Sequence, residues 1–237
     1  MSPWLGRRML RAVLPKSMAL RLRQEWMARR VVQGKGHREG EIQLLPSLVG
    51  KADVCWDIGA NTGTYTIELS RLSSKVFAFE PVPHSLNTVR QVKRLARLDN
   101  VEIRALAMSN APGHARFSVP TEGFYGGFYL ASLDPQGELE VETATIDGLI
   151  EQGVPEPDFI KCDVEGAEAL VIEGAGHLLS RRRPIWLLET FDANVLPLME
   201  SFGYTTHVRE ADNSLTRVSS FRPQSRNYIF LPVKTSG

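Results

Sequence analysis

The sequence predicts an α/β protein with one mostly parallel sheet between two layers of helices, a Rossmann-like three-layer sandwich. Three observations predict it. From Asp53 onward, short apolar runs alternate with longer amphipathic ones, the pattern of right-handed strand–helix–strand units. The first two apolar runs end in carboxylates, Asp57 and Glu80, and a turn from Gly59 to Gly63 joins the first run to its helix. Near the C-terminus, Tyr204 to Val208 and Tyr228 to Val233, separated by a polar loop, read as an antiparallel pair.

The elements follow in order. Strand 53 to 58 leads to a helix near 63 to 73, strand 75 to 80 to a helix near 84 to 98, and a third strand covers 101 to 107. Val54, Trp56 and Ile58 are branched or aromatic, as expected for a strand buried on both faces. Short β segments at Ala115 to Val119 and Leu139 to Thr145 then flank a glycine- and aromatic-rich loop. Regular order resumes with strand Phe159 to Asp163, a helix from Ala167 to Leu179, strand Pro184 to Glu189 and a helix from Ala193 to Phe202.

With 237 residues, 43% of them hydrophobic, the chain can bury one sizeable core. Its formal net charge of +1 conceals an asymmetry, because residues 1 to 39 hold eight Arg and two Lys against Glu25 and Glu39. Residues 1 to 40 therefore read as a basic amphipathic helical leader, broken near Pro15, and 41 to 237 as the main domain. The leader either packs on the domain or touches an anionic membrane surface weakly. The domain carries no basic patch with interleaved aromatics, which argues against a nucleic-acid partner. Apolar runs are only strand length, so no membrane span is expected, and Cys55 and Cys162 read as small buried side chains in a reducing, cytoplasmic setting.

The first carboxylate pair has the layout of an adenosine site. Gly59 can adopt backbone angles closed to other residues, Gly63 lets a helix start close to the sheet, and the amides opening that helix favour an anionic group. Glu80, closing the next strand, can accept hydrogen bonds from both hydroxyls of a ribose. Asn61 and Thr64 stand where a dinucleotide fingerprint has its second and third glycines, which disfavours a pyrophosphate ligand. The methionine end of S-adenosyl-L-methionine needs no such close approach.

The second constellation is Phe159-Ile-Lys-Cys-Asp-Val-Glu-Gly-Ala-Glu168. Strand alternation puts Lys161 and Asp163 on one face. Glu165 and Glu168 follow at the turn into a helix, where Glu168 reads as a charge complementing the helix dipole. Trp186-Leu-Leu-Glu189 brings a further carboxylate to a strand end. Ligands of open α/β sheets sit beyond the carboxyl ends of the strands, so Asp57, Glu80, Asp163, Glu165 and Glu189 are expected on one rim.

The ordered set DIGANTG, FEP, ALAMSN with Gly113, TIDGLI, DFIKCDVEGAE and PIWLLE resembles the FkbM-type family of S-adenosylmethionine-dependent methyltransferases. The resemblance covers roughly residues 50 to 192. It implies the class I methyltransferase fold, with seven strands and the last antiparallel, and O-methylation of a sugar, glycolipid headgroup or secondary metabolite. It also implies that Asp57, Gly59, Ala60, Asn61 and Gly63 line the methionine end of the cofactor, that Glu80 holds the ribose, and that Ala107 and Met108, ending the third strand, flank the adenine. Asp163 would face the transferring methyl group.

On this reading Asp163 is the first choice for general base and Glu165 the second, with Lys161 tuning either carboxylate or orienting the acceptor. A metal-independent mechanism is expected, with Mg²⁺ held by Asp163 and Glu189 as its alternative. A non-catalytic cofactor-binding scaffold and a nicotinamide-dependent oxidoreductase are the rival functions. Phe124, Tyr125, Phe128 and Tyr129 suit either a mobile lid over the acceptor or a small hydrophobic cluster.

Overall fold

The structure is a computed structural model that describes residues 15–36, 39–118 and 132–233. The aromatic loop with Phe124, Tyr125, Phe128 and Tyr129, and the first part of the leader, lie outside the described residues.

The main sheet is built from β1 (Val54–Ile58), β2 (Lys75–Phe79), β3 (Val101–Arg104), β8 (Phe159–Cys162), β9 (Ile185–Glu189), β10 (Tyr204–Arg209), β11 (Leu215–Val218) and β12 (Asn227–Pro232). Its order is β11-β10-β12-β9-β8-β1-β2-β3. Strands β3, β2, β1, β8 and β9 are parallel, and the last strand, β12, runs antiparallel to both of its neighbours, β9 and β10. This is the expected sheet with one addition. The polar loop between the two C-terminal strands contains β11, which pairs antiparallel with β10 at the edge of the sheet. Asn213 in the connecting turn adopts φ 66°, which Asn tolerates, and Asp212 accepts a hydrogen bond from the Ser214 amide at 2.9 Å.

Alternation along each strand separates two cores. Trp56, Ile58, Phe77, Phe79, Ile160, Cys162, Trp186 and Leu188 face a cluster with α5 (Ile146–Glu151), α6 (Glu168–Glu173), α7 (Gly176–Arg181) and α8 (Val195–Ser201). Cys55, Val76, Ala78, Phe159 and Leu187 face the other cluster, with α1 (Lys16–Val32), a 3₁₀ turn at Gly40–Leu44, α2 (Leu45–Leu48), α3 (Thr64–Leu72) and α4 (Pro83–Ala96). Period two therefore assigns Asp57 and Lys161 to the α1–α4 face, where they are register partners across β1 and β8.

Two expected elements are divided. The third strand ends at Arg104. Ala107 and Met108 form a short β4 (Ala107–Met108) in a second sheet, ordered β4-β7-β5-β6, with β5 (Gly113–Ser118), β6 (Ser132–Leu133) and β7 (Leu139–Ala144). The helix expected over 167 to 179 is broken between α6 and α7. Gly174 lies there so close to Ser109 that a Cβ would sit 2.1 Å from its carbonyl oxygen. Asp147 then caps α7, accepting from the amides of His177 at 2.8 Å and Leu178 at 2.9 Å.

Helix α1 begins directly after Pro15 and packs on α4. Ala28 and Val31 are buried in the same cluster as the α1–α4 face of the sheet, and the Gln24 amide donates to the His84 carbonyl at 3.2 Å. Its outer side exposes Met18, Leu22 and Trp26, one turn apart. No described helix is long and apolar enough to cross a membrane.

Candidate active site

Two cavities open at the C-terminal ends of the parallel strands and share a wall made by Gly59, Asn61, Asp163 and Glu165. The first is lined further by Glu80, Val82, Ser85, Leu106, Ala107, Met108 and Phe117. The second, of about 380 Å³, is lined further by Glu39, Asp57, Ala60, Tyr65, Lys161, Glu189, Phe191 and Arg226.

Local sequence explains the shared wall. Gly59 adopts φ 80°, and a Cβ there would lie 1.8 Å from the carbonyl oxygen of Asp163, so only glycine lets the β1 turn approach the β8 turn this closely. Asn61, at φ 48°, carries the loop past the end of β2. Its amide donates to Glu80 Oε2 at 2.7 Å, and the Val82 amide donates to Glu80 Oε1 at 2.8 Å. Each Glu80 oxygen keeps a lone pair for a further donor, as a ribose diol requires. Burial raises the Glu80 pKa to about 7, against the pull of those two amides.

The apolar floor of the first cavity comes from β4 and β5, through Ala107, Met108 and Phe117, rather than from the end of a third main-sheet strand. Gly63 lines neither cavity. It caps α3 at φ 81° and donates its amide to the Ala60 carbonyl at 2.7 Å, holding the turn from behind.

In the second cavity Lys161 is the organising charge. It is 1% exposed, its Nζ lies 3.8 Å from Asp163 Oδ2, and the Tyr65 ring sits 5.0 Å away. Burial alone would lower its pKa, but Asp163, Glu39 and Glu189 together push harder, and the net shift is upward. Lys161 is therefore a fixed cation. Asp57, its buried neighbour, has a pKa raised to about 6, chiefly by burial, while the Thr66 hydroxyl and Lys161 oppose the rise. Glu189 is raised to about 7 by burial and by Asp163, with Lys161 opposing. Glu165, at φ 52°, is also shifted upward, first by partial burial and then by Asp163. Glu168 spends its oxygens on structure, accepting from the Gly166 amide at 2.8 Å and the Thr190 hydroxyl at 3.2 Å.

Glu39, like Phe191 and Arg226, is a residue that sequence reasoning missed. It enters the cavity from the end of the basic leader and accepts from the Tyr65 hydroxyl at 2.7 Å and the Asn227 amide at 3.3 Å. Nothing in its neighbourhood of the sequence marks it. Glu39, Asp163 and Glu189 present carboxylate oxygens within 4.8 Å of one another, a spacing that a cation can bridge, and the Lys161 ammonium already stands against Asp163.

A mostly parallel sheet with an antiparallel last strand, and cavities at the carboxyl ends of its strands, have the arrangement of the class I methyltransferase fold. Among solved structures, that of Methyltransferase FkbM from Methylobacillus flagellatus KT is similar, with a TM-score of 0.51, 15% identity, and coverage of 76% of this chain and 44% of that one. A precorrin 8W decarboxylase from Methanobacterium thermoautotrophicum gives a TM-score of 0.50 at 17% identity, covering 84% and 92%. Residues 57–206 match the Methyltransferase FkbM domain, and the chain belongs to that family.

Two curated relatives are similar in sequence. Hexuronic acid methyltransferase AglP of Haloferax volcanii is 32% identical over 139 residues, covering 58% of this chain and 56% of the relative, so the chain spans little more than half of that protein's length. The 2-O-methyltransferase NoeI of Sinorhizobium fredii is 29% identical over 174 residues, covering 64% and 68%.

Proposed function

We propose that the chain is an S-adenosyl-L-methionine-dependent O-methyltransferase whose acceptor is a hydroxyl of a sugar. The observation that carries this is the meeting of the two cavities at Gly59, Asn61, Asp163 and Glu165. One side is shaped for an adenosine, the other is open and polar, and a reacting atom from each can meet only at that wall.

The residues present fit the cofactor. Glu80 has lone pairs for the ribose hydroxyls, Ala107, Met108 and Phe117 offer an apolar surface for the base, and Asp57, Gly59, Ala60 and Asn61 flank the path toward the second cavity. When bound, S-adenosyl-L-methionine supplies a methyl group on a positively charged sulfur. The chain's own task is to aim an acceptor oxygen and remove its proton. Asp163, at the shared wall, is the base, with Glu165 as the second candidate. Lys161, its ammonium 3.8 Å from Asp163 Oδ2, fixes the direction of that carboxylate. Glu189 and Glu39 accept hydrogen bonds from neighbouring hydroxyls, which orients a polyol.

The same charges select the nucleophile. Three carboxylates against one ammonium repel a carboxylate acceptor from the reacting end and favour a neutral hydroxyl that can surrender a proton. The relatives' names, a hexuronic acid methyltransferase and a 2-O-methyltransferase, support carbohydrate as the acceptor class. Calorimetry should show S-adenosylhomocysteine binding and no NAD(P) binding, and mass spectrometry should show one methyl group added to a carbohydrate. Binding of NAD(P) alone would return the chain to the oxidoreductases. Cofactor binding with no transfer to any carbohydrate would overturn the sugar acceptor.

A further inference from the structure

The acceptor cavity is charged unevenly from its inner end to its mouth. Lys161, 1% exposed, and the carboxylates Asp163, Glu189 and Glu39 occupy the inner end. Phe191, 61% exposed, and the exposed Arg226 stand at the mouth. The antiparallel pairing of β9 with β12 explains why these two meet. Glu189 and Asn227 are register partners, the Thr190 amide donates to the Arg226 carbonyl at 2.8 Å, and the Arg226 guanidinium carbon lies 5.0 Å from the centre of the Phe191 ring.

Arg226 has no carboxylate within 4.0 Å among the described residues, although Glu165 is near enough to feel its charge. An exposed guanidinium held over an aromatic ring, beside a cavity full of carboxylates and yet paired with none, is available for an outside anion. We infer that Phe191 and Arg226 form an acceptor subsite, with the ring packing on the apolar face of a pyranose and the guanidinium pairing with an anionic substituent, carboxylate or phosphate, on that sugar. This rests on the reading of the chain as a sugar O-methyltransferase and deepens it.

The uneven charge fixes the direction in which such an acceptor binds. With its anion toward Arg226, the opposite edge of the sugar delivers a hydroxyl to Asp163. Turned round, the anion would meet Asp163, Glu189 and Glu39. Arg226, already stacked on Phe191, loses little freedom on pairing, and its fork matches either anion bidentately.

The test uses the full chain with three probes: p-nitrophenyl β-D-glucuronide, the neutral p-nitrophenyl β-D-glucoside, and glucose 1-phosphate. The wild-type protein should methylate at least one anionic probe with kcat/KM about tenfold or more above the glucoside, and the comparison of the two anions separates carboxylate from phosphate. Arg226→Gln should reduce that ratio about tenfold, through KM. Phe191→Ala should raise KM for all substrates, Phe191→Trp should restore it, and all three variants should bind S-adenosylhomocysteine like wild type. A wild-type preference for the glucoside, or a ratio unchanged in Arg226→Gln, overturns the subsite and leaves the sugar reading standing. Cofactor binding with no transfer to any probe overturns the sugar reading and the subsite together.

Discussion

The two cavities share one wall but are assembled differently. The cofactor side is made mostly from short continuous runs: Ile58 to Asn61, Glu80 to Val82, Leu106 to Met108. The acceptor side collects Glu39, Tyr65, Lys161, Glu189, Phe191 and Arg226 from five separate segments. A ligand with a fixed shape is met by turns that recur as local patterns, and a variable ligand is met by whatever the edges of the fold bring together. Cofactor variants should therefore fail in binding, and acceptor variants in turnover or KM.

The largest expected separation comes at Asp163. Asp163→Asn should lower turnover by about 10² or more while leaving S-adenosylhomocysteine affinity near normal. EDTA should leave wild-type turnover intact. Activity lost in EDTA and regained with Mg²⁺ would assign the Glu39, Asp163 and Glu189 oxygens to a cation instead.

Glu80 gives the opposite failure. Glu80→Ala removes the acceptor of the ribose hydroxyls together with that of the Asn61 and Val82 amides, so calorimetry should show affinity falling about tenfold or more. The same loss unties the glycine turn, and the melting temperature should fall by about 3 °C. Glu80→Gln, which keeps one acceptor oxygen, should fall between.

Glu39→Gln sharpens the comparison from the acceptor side. It keeps an oxygen for the Tyr65 hydroxyl, and kcat/KM should fall about tenfold with cofactor affinity unchanged. Equal loss of cofactor affinity would show that the two cavities do not act separately.

The last effect is on stability alone. Glu80 and Asp57, with pKa values raised to about 7 and about 6, hold protons in the folded chain that the unfolded chain has already lost. Stability from this source is intact below the unfolded values and is lost as pH rises through the folded ones. The cofactor-free protein should melt about 5 °C lower at pH 8 than at pH 5. A melting temperature that rises over this range would place both groups ionised throughout.

Most of the main sheet was legible because period two and the apolar strand ends are local properties. Asp57, Glu80, Asp163, Glu165 and Glu189 could be placed on one rim for the same reason. The break at Gly174 was not legible, because it depends on the carbonyl of Ser109, far away in sequence. The move of Ala107 and Met108 into a second sheet depends on pairing with β7, again a distant partner. Glu39 and the Phe191–Arg226 pair were hidden in the same way. Tyr65 was the one accessible signal, a phenol in the first turn of the helix that follows the glycine loop, on the side of the sheet that carries Lys161.

On the proposed reading of the second cavity, the Glu39 anchor ties the N-terminal segment to acceptor binding. Helix α1 lies on α4, a few residues separate its end from Glu39, and Glu39 is fastened inside the acceptor cavity by Tyr65 and Asn227. A surface or protein that grips α1 harder when Glu39 is withdrawn will weaken acceptor binding, and the acceptor, by linkage, will loosen that grip by the same factor. For any such partner, the basic segment and the proposed methyl-transfer site would be two ends of one equilibrium.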